Sequence, residues 1–437
     1  MDDPLSHGSA TGYDTVAMSR HGLSQILHFF RSRLSGGVLS FTMAVSVIVA
    51  MLLLMMILMA YYTRQERNIY RINSRLLDNL SSAQAWCLAR GDQMDYGSYR
   101  SFDLFGRGID SVAVGKFRWG LFDSYRLHAF HRVHEQRAAF LQGQIPSEEG
   151  LSTIYLEDNR GGLALAGDTK ISGTVYLPQA GTRTTYIDRV GYMNEKMVYG
   201  EVRKSKDRIP KLEDWSLDDL EKEWKEMPQL QVTELEGDYS FLSDTLTVLR
   251  CGDYLLQDTL RGFAMIQSSG TVRIDTMAYT EDIIVLADEI EFLSGFRGQG
   301  QFFARDTIIV QGDVELDYPT VLYAENEKAT ATIVLKEKAT VDGFLLIDGD
   351  RNNFRDRLIH LEEGSTVNGM IYANGFVSAH GKINGHVCTR AFLINTFSGV
   401  LENHLFNAQL SHELDSGFLM PGLWFADQQK GVVQWLY

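Results

Sequence analysis

The sequence predicts an α+β protein: a single N-terminal transmembrane helix, extended into an amphipathic helix, then an all-β body wound as a β-solenoid (β-helix). Three observations carry this. Residues 34–63 are thirty positions without one Asp, Glu, Lys, Arg or His. The following residues place apolar side chains at helical spacing. Farther on, a short pattern of an apolar residue, a β-branched residue six positions later and a Gly two beyond that recurs four times.

Residues 1–36 read as a cytoplasmic leader and 37–62 as the membrane helix. Twenty-five residues, 38–62, make a helix about 38 Å long, enough to cross a hydrocarbon layer of about 30 Å with some tilt. Tyr61 and Tyr62 fall where an interfacial aromatic belt belongs. A signal peptide fits poorly, because the apolar run is too long and residues 1–36 precede it. Arg20, Arg31 and Arg33 lie before the segment, and Arg64, Arg67, Arg71 and Arg75 follow it, so flanking charge does not fix orientation. A long remainder translocates largely regardless of charge. Together with its β character, this predicts a bacterial inner-membrane protein, single-pass, N-terminus cytoplasmic and the bulk periplasmic.

Residues 63–92 form the amphipathic extension. Ile69, Ile72, Leu76, Leu80, Ala83 and Cys87 step by three or four, one stripe on a helix, and Gly91-Asp92 supplies the stop. The pattern fits one continuous helix or a membrane helix followed by a separate one.

These residues, with Arg31, Arg33, Gly36-Gly37 and Val38-Leu39-Ser40-Phe41-Thr42 ahead of them, resemble the type IV filament superfamily of pilins and pseudopilins. That resemblance implies leader processing between Gly37 and Val38, and a helix inserted among other pilin helices. Cleavage there puts Thr42 at the fifth mature position, where major pilins carry Glu, which narrows the likeness to minor pseudopilins.

Residues 93–150 read as a small β region. Its His128, His131 and His134 invite a metal reading, but on a strand His131 faces away from the other two, and no Cys or Asp cluster joins them. The solenoid is placed at 151–400. Its repeat is Leu165, Ile171, Gly173; Leu335, Val341, Gly343; Leu361, Val367, Gly369; and Val377, Ile383, Gly385. The apolar positions would stack in columns inside the body, and Gly would sit at sharp turns needing positive φ. Lys336, Glu337, Lys338, Glu362 and Glu363 would leave the walls polar. An antiparallel sandwich with shared turn chemistry is the alternative. The repeat resembles that of bactofilins, polymer-forming bacterial scaffolds built as small β-helices. The whole layout is similar to bacterial envelope proteins with a long helix ahead of glycine-punctuated β rungs.

A polar helical insertion is expected at 201–228: sixteen of the twenty-six residues 201–226 are charged, and Ser216 is placed to cap a short helix. It reads as a solvated excursion, or as a docking helix presenting Trp215 or Trp224 to a partner. Residues 401–437, rich in aromatics, are expected to cap an open end of the solenoid.

Charge and motifs bound the function. The net charge of −15 falls wholly on residues 64–437, which argues against nucleic-acid binding. No nucleophile elbow, phosphate-binding glycine loop or Cys-x-x-Cys pair occurs. The stretch from Asp348 starts like a calcium loop but has Ile359 at its twelfth position. Cys87, Cys251 and Cys388 are too few and too far apart for a disulfide framework. The expectation is a non-enzymatic, cofactor-free, membrane-anchored envelope protein. It would be a minor pilin-like component of a filament or secretion apparatus, with other pilin-like or envelope proteins as partners and oligomers open. The alternative is an anchored solenoid scaffold or adhesin for protein or glycan partners, and a carbohydrate-active β-helix enzyme is the remote one.

Overall fold

The computed structural model describes residues 38–437, apart from 107, 109, 213–215, 327–329, 398, 415–416 and 423–425. It divides into two units, Met1–Arg71 and Ile72–Tyr437.

One helix, α1, runs from Val38 to Arg90. Within the first unit its apolar residues are exposed throughout, and the helix is long and apolar enough to cross a membrane. Polar groups in this run are satisfied locally. Thr42, Ser46 and Thr63 donate their hydroxyls to the carbonyls of Leu39, Thr42 and Met59 at 2.9, 2.7 and 2.8 Å. An unmet donor in lipid would cost several kcal/mol, about as much as a buried one.

In the second unit the last turns of α1 bury Leu76, Leu80, Ala83 and Cys87. They pack on Val112, Val114, Tyr125, Leu127, Ala129 and Phe140 of an antiparallel sheet. That sheet orders Tyr99–Phe102, Ser111–Trp119, Phe122–His131, His134–Pro146 and Ala426–Leu436. Because side chains alternate along a strand, Trp119, Phe122, Ala139 and Leu141 leave the opposite face. Gly91 ends the helix beneath the Tyr125 ring, in space that no Cβ could share.

That second face packs on a closed, mostly parallel sheet built from residues 154–411. Most of its strands pair in parallel. Val341 lies opposite Val367, Val367 opposite Ile383, Ile383 opposite Leu410, and Leu410 opposite Ile171. These residues belong to one continuous apolar interior.

Chain order and spatial order differ. Ile154 pairs with Val387 and Leu165 with Leu405, so the earliest strands of the body stack on its latest ones. Among the described residues Val202–Lys204 pairs only with Val175–Leu177, which places it outermost on that side. Gln229–Val232 lies at the other end, pairing among the described residues only with Leu246–Cys251. Residues 205–228 therefore carry the chain from one end of the stack to the other along its outside.

Three expectations are corrected by this arrangement. Not every wall is polar: in Thr340–Asp348, Leu345 and Ile347 face the interior while Phe344 and Leu346 face outward into a second apolar cluster. The insertion is accordingly no solvated excursion. Its helix α2, Leu217–Glu226, covers that cluster with Leu217, Leu220 and Trp224, all buried. Trp224 meets Phe303 edge-on at 5.7 Å. Ser216 caps it in a reciprocal capping box with Asp219, as its sequence predicts. Arg305 pairs with Asp218 and Glu221, and the Leu217 amide donates to Glu325 at 2.9 Å. Trp224 is thus spent within the body, and Trp215 lies outside the described residues. The C-terminal stretch does not cap an end either. His404–Phe406 and Gln409–Ser411 join the stack, and Ala426–Leu436 completes the antiparallel sheet.

Candidate functional site

The repeat residues converge, but on scaffolding. Leu335 pairs with Leu361, and Val341, Val367 and Ile383 occupy consecutive courses. Gly343, Gly369 and Gly385 stand side by side with φ of 152°, 154° and 149°. A Cβ on each of the last two would fall on the carbonyl oxygen of the glycine before it. Ile171 reaches the same column through Leu410. Leu165 pairs instead in a short three-stranded sheet, and Gly173 (φ 110°) turns against the Thr153 hydroxyl. The fourth copy needs correction: Val377 lies opposite Ile359, and Ala379 takes the place opposite Leu361. Ile383 follows Ala379 by four positions, whereas Val367 follows Leu361 by six, so the corner there is tighter. Gly37 lies outside the described residues, and Val38 opens α1, exposed.

His131 stands opposite His134 across the hairpin, and His128 lies on the other face of its strand, so the expectation that His131 faces away from both is corrected. His128 bonds Glu135 at 2.9 Å and His131 bonds Asp110 at 2.7 Å. Among the described residues no three His, Cys, Asp or Glu side chains form a metal-holding group. In the calcium-like stretch, the buried Arg357 guanidinium holds the loop itself, donating to the Asp350 carbonyl at 2.6 Å. Asp348 accepts from Asn374 at 2.9 Å, and burial pushes its carboxyl up. The cysteines are free, and burial pushes the Cys87 thiol up to about 12, far from a reactive thiolate.

A polar cavity of about 660 Å³ opens where residues 157–183 stack on the later strands. At its base Glu157 is buried and pairs with Arg390 at 3.4 Å. The Arg390 guanidinium lies 3.7 Å over the Phe354 ring, which holds it flat. Asn403, itself buried, donates to the Asn159 side-chain oxygen at 3.0 Å and ties the two stacked segments together. Asn159 also accepts from the Gly161 amide at 3.0 Å, fixing a turn in which Arg160 takes a φ of 68°. Arg160, Arg183 and Glu402 also line the cavity and are exposed. Sequence reasoning does not find this site, because its members come from four distant segments. The one local trace is the turn Asn159-Arg160-Gly161-Gly162.

A smaller cavity of about 130 Å³ lies at one end of the antiparallel sheet. Three of its polar groups engage one another: Lys116 pairs with Asp123 at 3.2 Å, Tyr96 donates to Asp123 at 2.7 Å, and Lys116 sits 4.3 Å over the Tyr96 ring. It has room for a few waters.

No protein-family model matches this chain, and neither a curated protein nor a solved structure matches it.

Proposed function

We propose that this chain is a non-enzymatic, single-pass envelope protein: a minor pilin-like or pseudopilin-like component of a type IV filament or secretion apparatus. Its N-terminus is cytoplasmic and its body periplasmic. The observation that carries the reading is α1. A single uninterrupted helix presents apolar residues on every side in its first half and commits one stripe of its second half to a β head. A mere anchor needs no such continuity. A helix that packs among other helices does, because the same element must serve the assembly at one end and the head at the other. The parallel courses, their shared columns and the side-by-side glycines support a β-solenoid as the bulk of that head.

Mass spectrometry of the mature N-terminus tests the filament reading. A chain beginning at Val38 is expected, and an intact leader excludes processing. Protease added to spheroplasts should degrade the body, and protection would overturn the periplasmic placement.

The polar cavity favours a second reading, an anchored solenoid scaffold that binds a partner or glycan. An intact leader together with a periplasmic body would select it.

A further inference from the structure

We infer that the cavity between residues 157–183 and the strand Lys382–Thr396 binds a small hydroxylated anion, a sugar bearing a carboxylate or phosphate. The inference stands on the cavity alone and does not depend on how α1 assembles. Its volume, about 660 Å³, is that of a site for one or two sugar rings. The charges divide in an informative way. Arg390 is already occupied, neutralised by Glu157 and laid against Phe354. Arg160 and Arg183 have no ion pair among the described residues. The carboxylate nearest in sequence, Asp158, accepts from the amides of Arg160 and Gln179 at 2.9 and 3.0 Å and attracts the Arg160 guanidinium without an ion-pair contact.

Two guanidiniums with open donors thus face one cavity on a chain whose net charge is −15. Elsewhere on the body, exposed arginines such as Arg261, Arg273 and Arg297 are paired across neighbouring courses with Glu281, Glu291 and Glu315. Planar donor forks left unpaired suit a carboxylate or phosphate, while Glu402 and the Asn159 amide offer an acceptor and a donor to hydroxyls. The Arg160 backbone is held in the left-handed region by the Asn159 turn, so its position is fixed before any ligand arrives.

The test is calorimetric titration of the full chain in detergent with glucuronate, digalacturonate, glucose 6-phosphate, glucose and inorganic phosphate. Saturable binding of at least one acidic sugar, tenfold or more tighter than glucose, is expected. Arg160→Ala and Arg183→Ala should each weaken it at least tenfold, whereas Arg297→Ala should leave it unchanged. Preference for glucuronate over glucose 6-phosphate, or the reverse, identifies the anion. No saturable binding, binding indifferent to both arginine variants, or inorganic phosphate bound as tightly as the acidic sugars would each overturn the assignment. Unaltered thermal unfolding of the two variants confirms that their fold is intact, since both side chains are exposed.

Discussion

The carbonyl oxygen of Gly343 occupies the space that a side chain on Gly369 would need. The two glycines are paired on adjacent strands, and Gly385 repeats the relationship against Gly369. Gly369→Ala therefore meets both a backbone conformation unfavourable to L-residues and a backbone atom that cannot yield. It is expected to cost about 3–5 kcal/mol. Gly252, with open space around it and no positive φ, should accept Ala within about 0.5 kcal/mol. Chemical denaturation of the two variants in detergent makes the comparison.

Asp282 and His386 set opposing pH dependences. Asp282 lies at the seam between the two sheets: its carbonyl accepts from the Trp119 indole at 2.9 Å, and its carboxyl from Gln434 at 3.0 Å. Burial, reinforced by Glu281, raises its pKa from 3.8 to about 7. The folded state then holds a proton that the unfolded chain has released, so this group's contribution is lost as pH rises from about 4 through 7. Burial, aided by His412, lowers His386 from 6.5 to about 4, with its Nδ1 2.7 Å from the Ser152 carbonyl. Its contribution is lost as pH falls from 6.5 towards 4. The two nearly cancel between about pH 4 and 7. Asp282→Asn should make stability climb with pH across that window, and His386→Gln should make it decline. Each slope should be up to about 1.4 kcal/mol per pH unit. Equilibrium unfolding at several pH values from about 4.5 to 6.5 measures both slopes.

Trp224 separates a packed strap from a solvated one. If α2 is part of the outer core, Trp224→Ala leaves a cavity against Phe303 and costs about 3–5 kcal/mol. Lys222→Ala, whose side chain is exposed in a surface pair with Asp219, should change stability by less than about 0.5 kcal/mol. Proteolysis within residues 205–228 should accelerate only in the first variant.

Leu76 and Leu77 are neighbours with opposite fates. Leu76 is fully buried against the antiparallel sheet, and Leu77 is 55% exposed. Leu76→Ala is expected to destabilise the body by about 2–4 kcal/mol and Leu77→Ala by less than about 0.5. Thermal unfolding of the full chain in detergent distinguishes them.

Those two leucines also mark what the sequence discloses. The stripe Ile72, Leu76, Leu80, Ala83, Cys87 is a local, periodic signal, and its buried face is legible from residue spacing alone. The repeat glycines are legible for the same reason, since the backbone geometry they serve lies within a few residues. What periodicity does not disclose is which face of a parallel strand meets what. Phe344 and Leu346 alternate with Leu345 and Ile347, and all four are apolar, so the pattern hides a second core outside the first. Trp224 therefore reads as free for a partner when it is not. The repeat misplaces Val377, because a corner two residues shorter leaves the apolar pattern intact while moving Ala379 opposite Leu361. The cavity leaves almost no mark, because Glu157 and Arg390, its buried pair, stand 233 positions apart in the chain.

The stacking of Ile154 and Ile171 on Val387 and Leu410 fixes a schedule for synthesis. Residues 154–171 leave the ribosome more than two hundred positions before their partners exist. Until residues 382–411 arrive, that opening segment has strand edges with nothing to pair, and the strand His134–Pro146 likewise waits for Ala426–Leu436. Closing such distant pairs is slow and leaves apolar edges open to wrong partners in the interval. The nascent chain is thus most vulnerable while its apolar N-terminal helix is complete and its body is not, so early delivery of that helix to the membrane would keep unfinished chains apart.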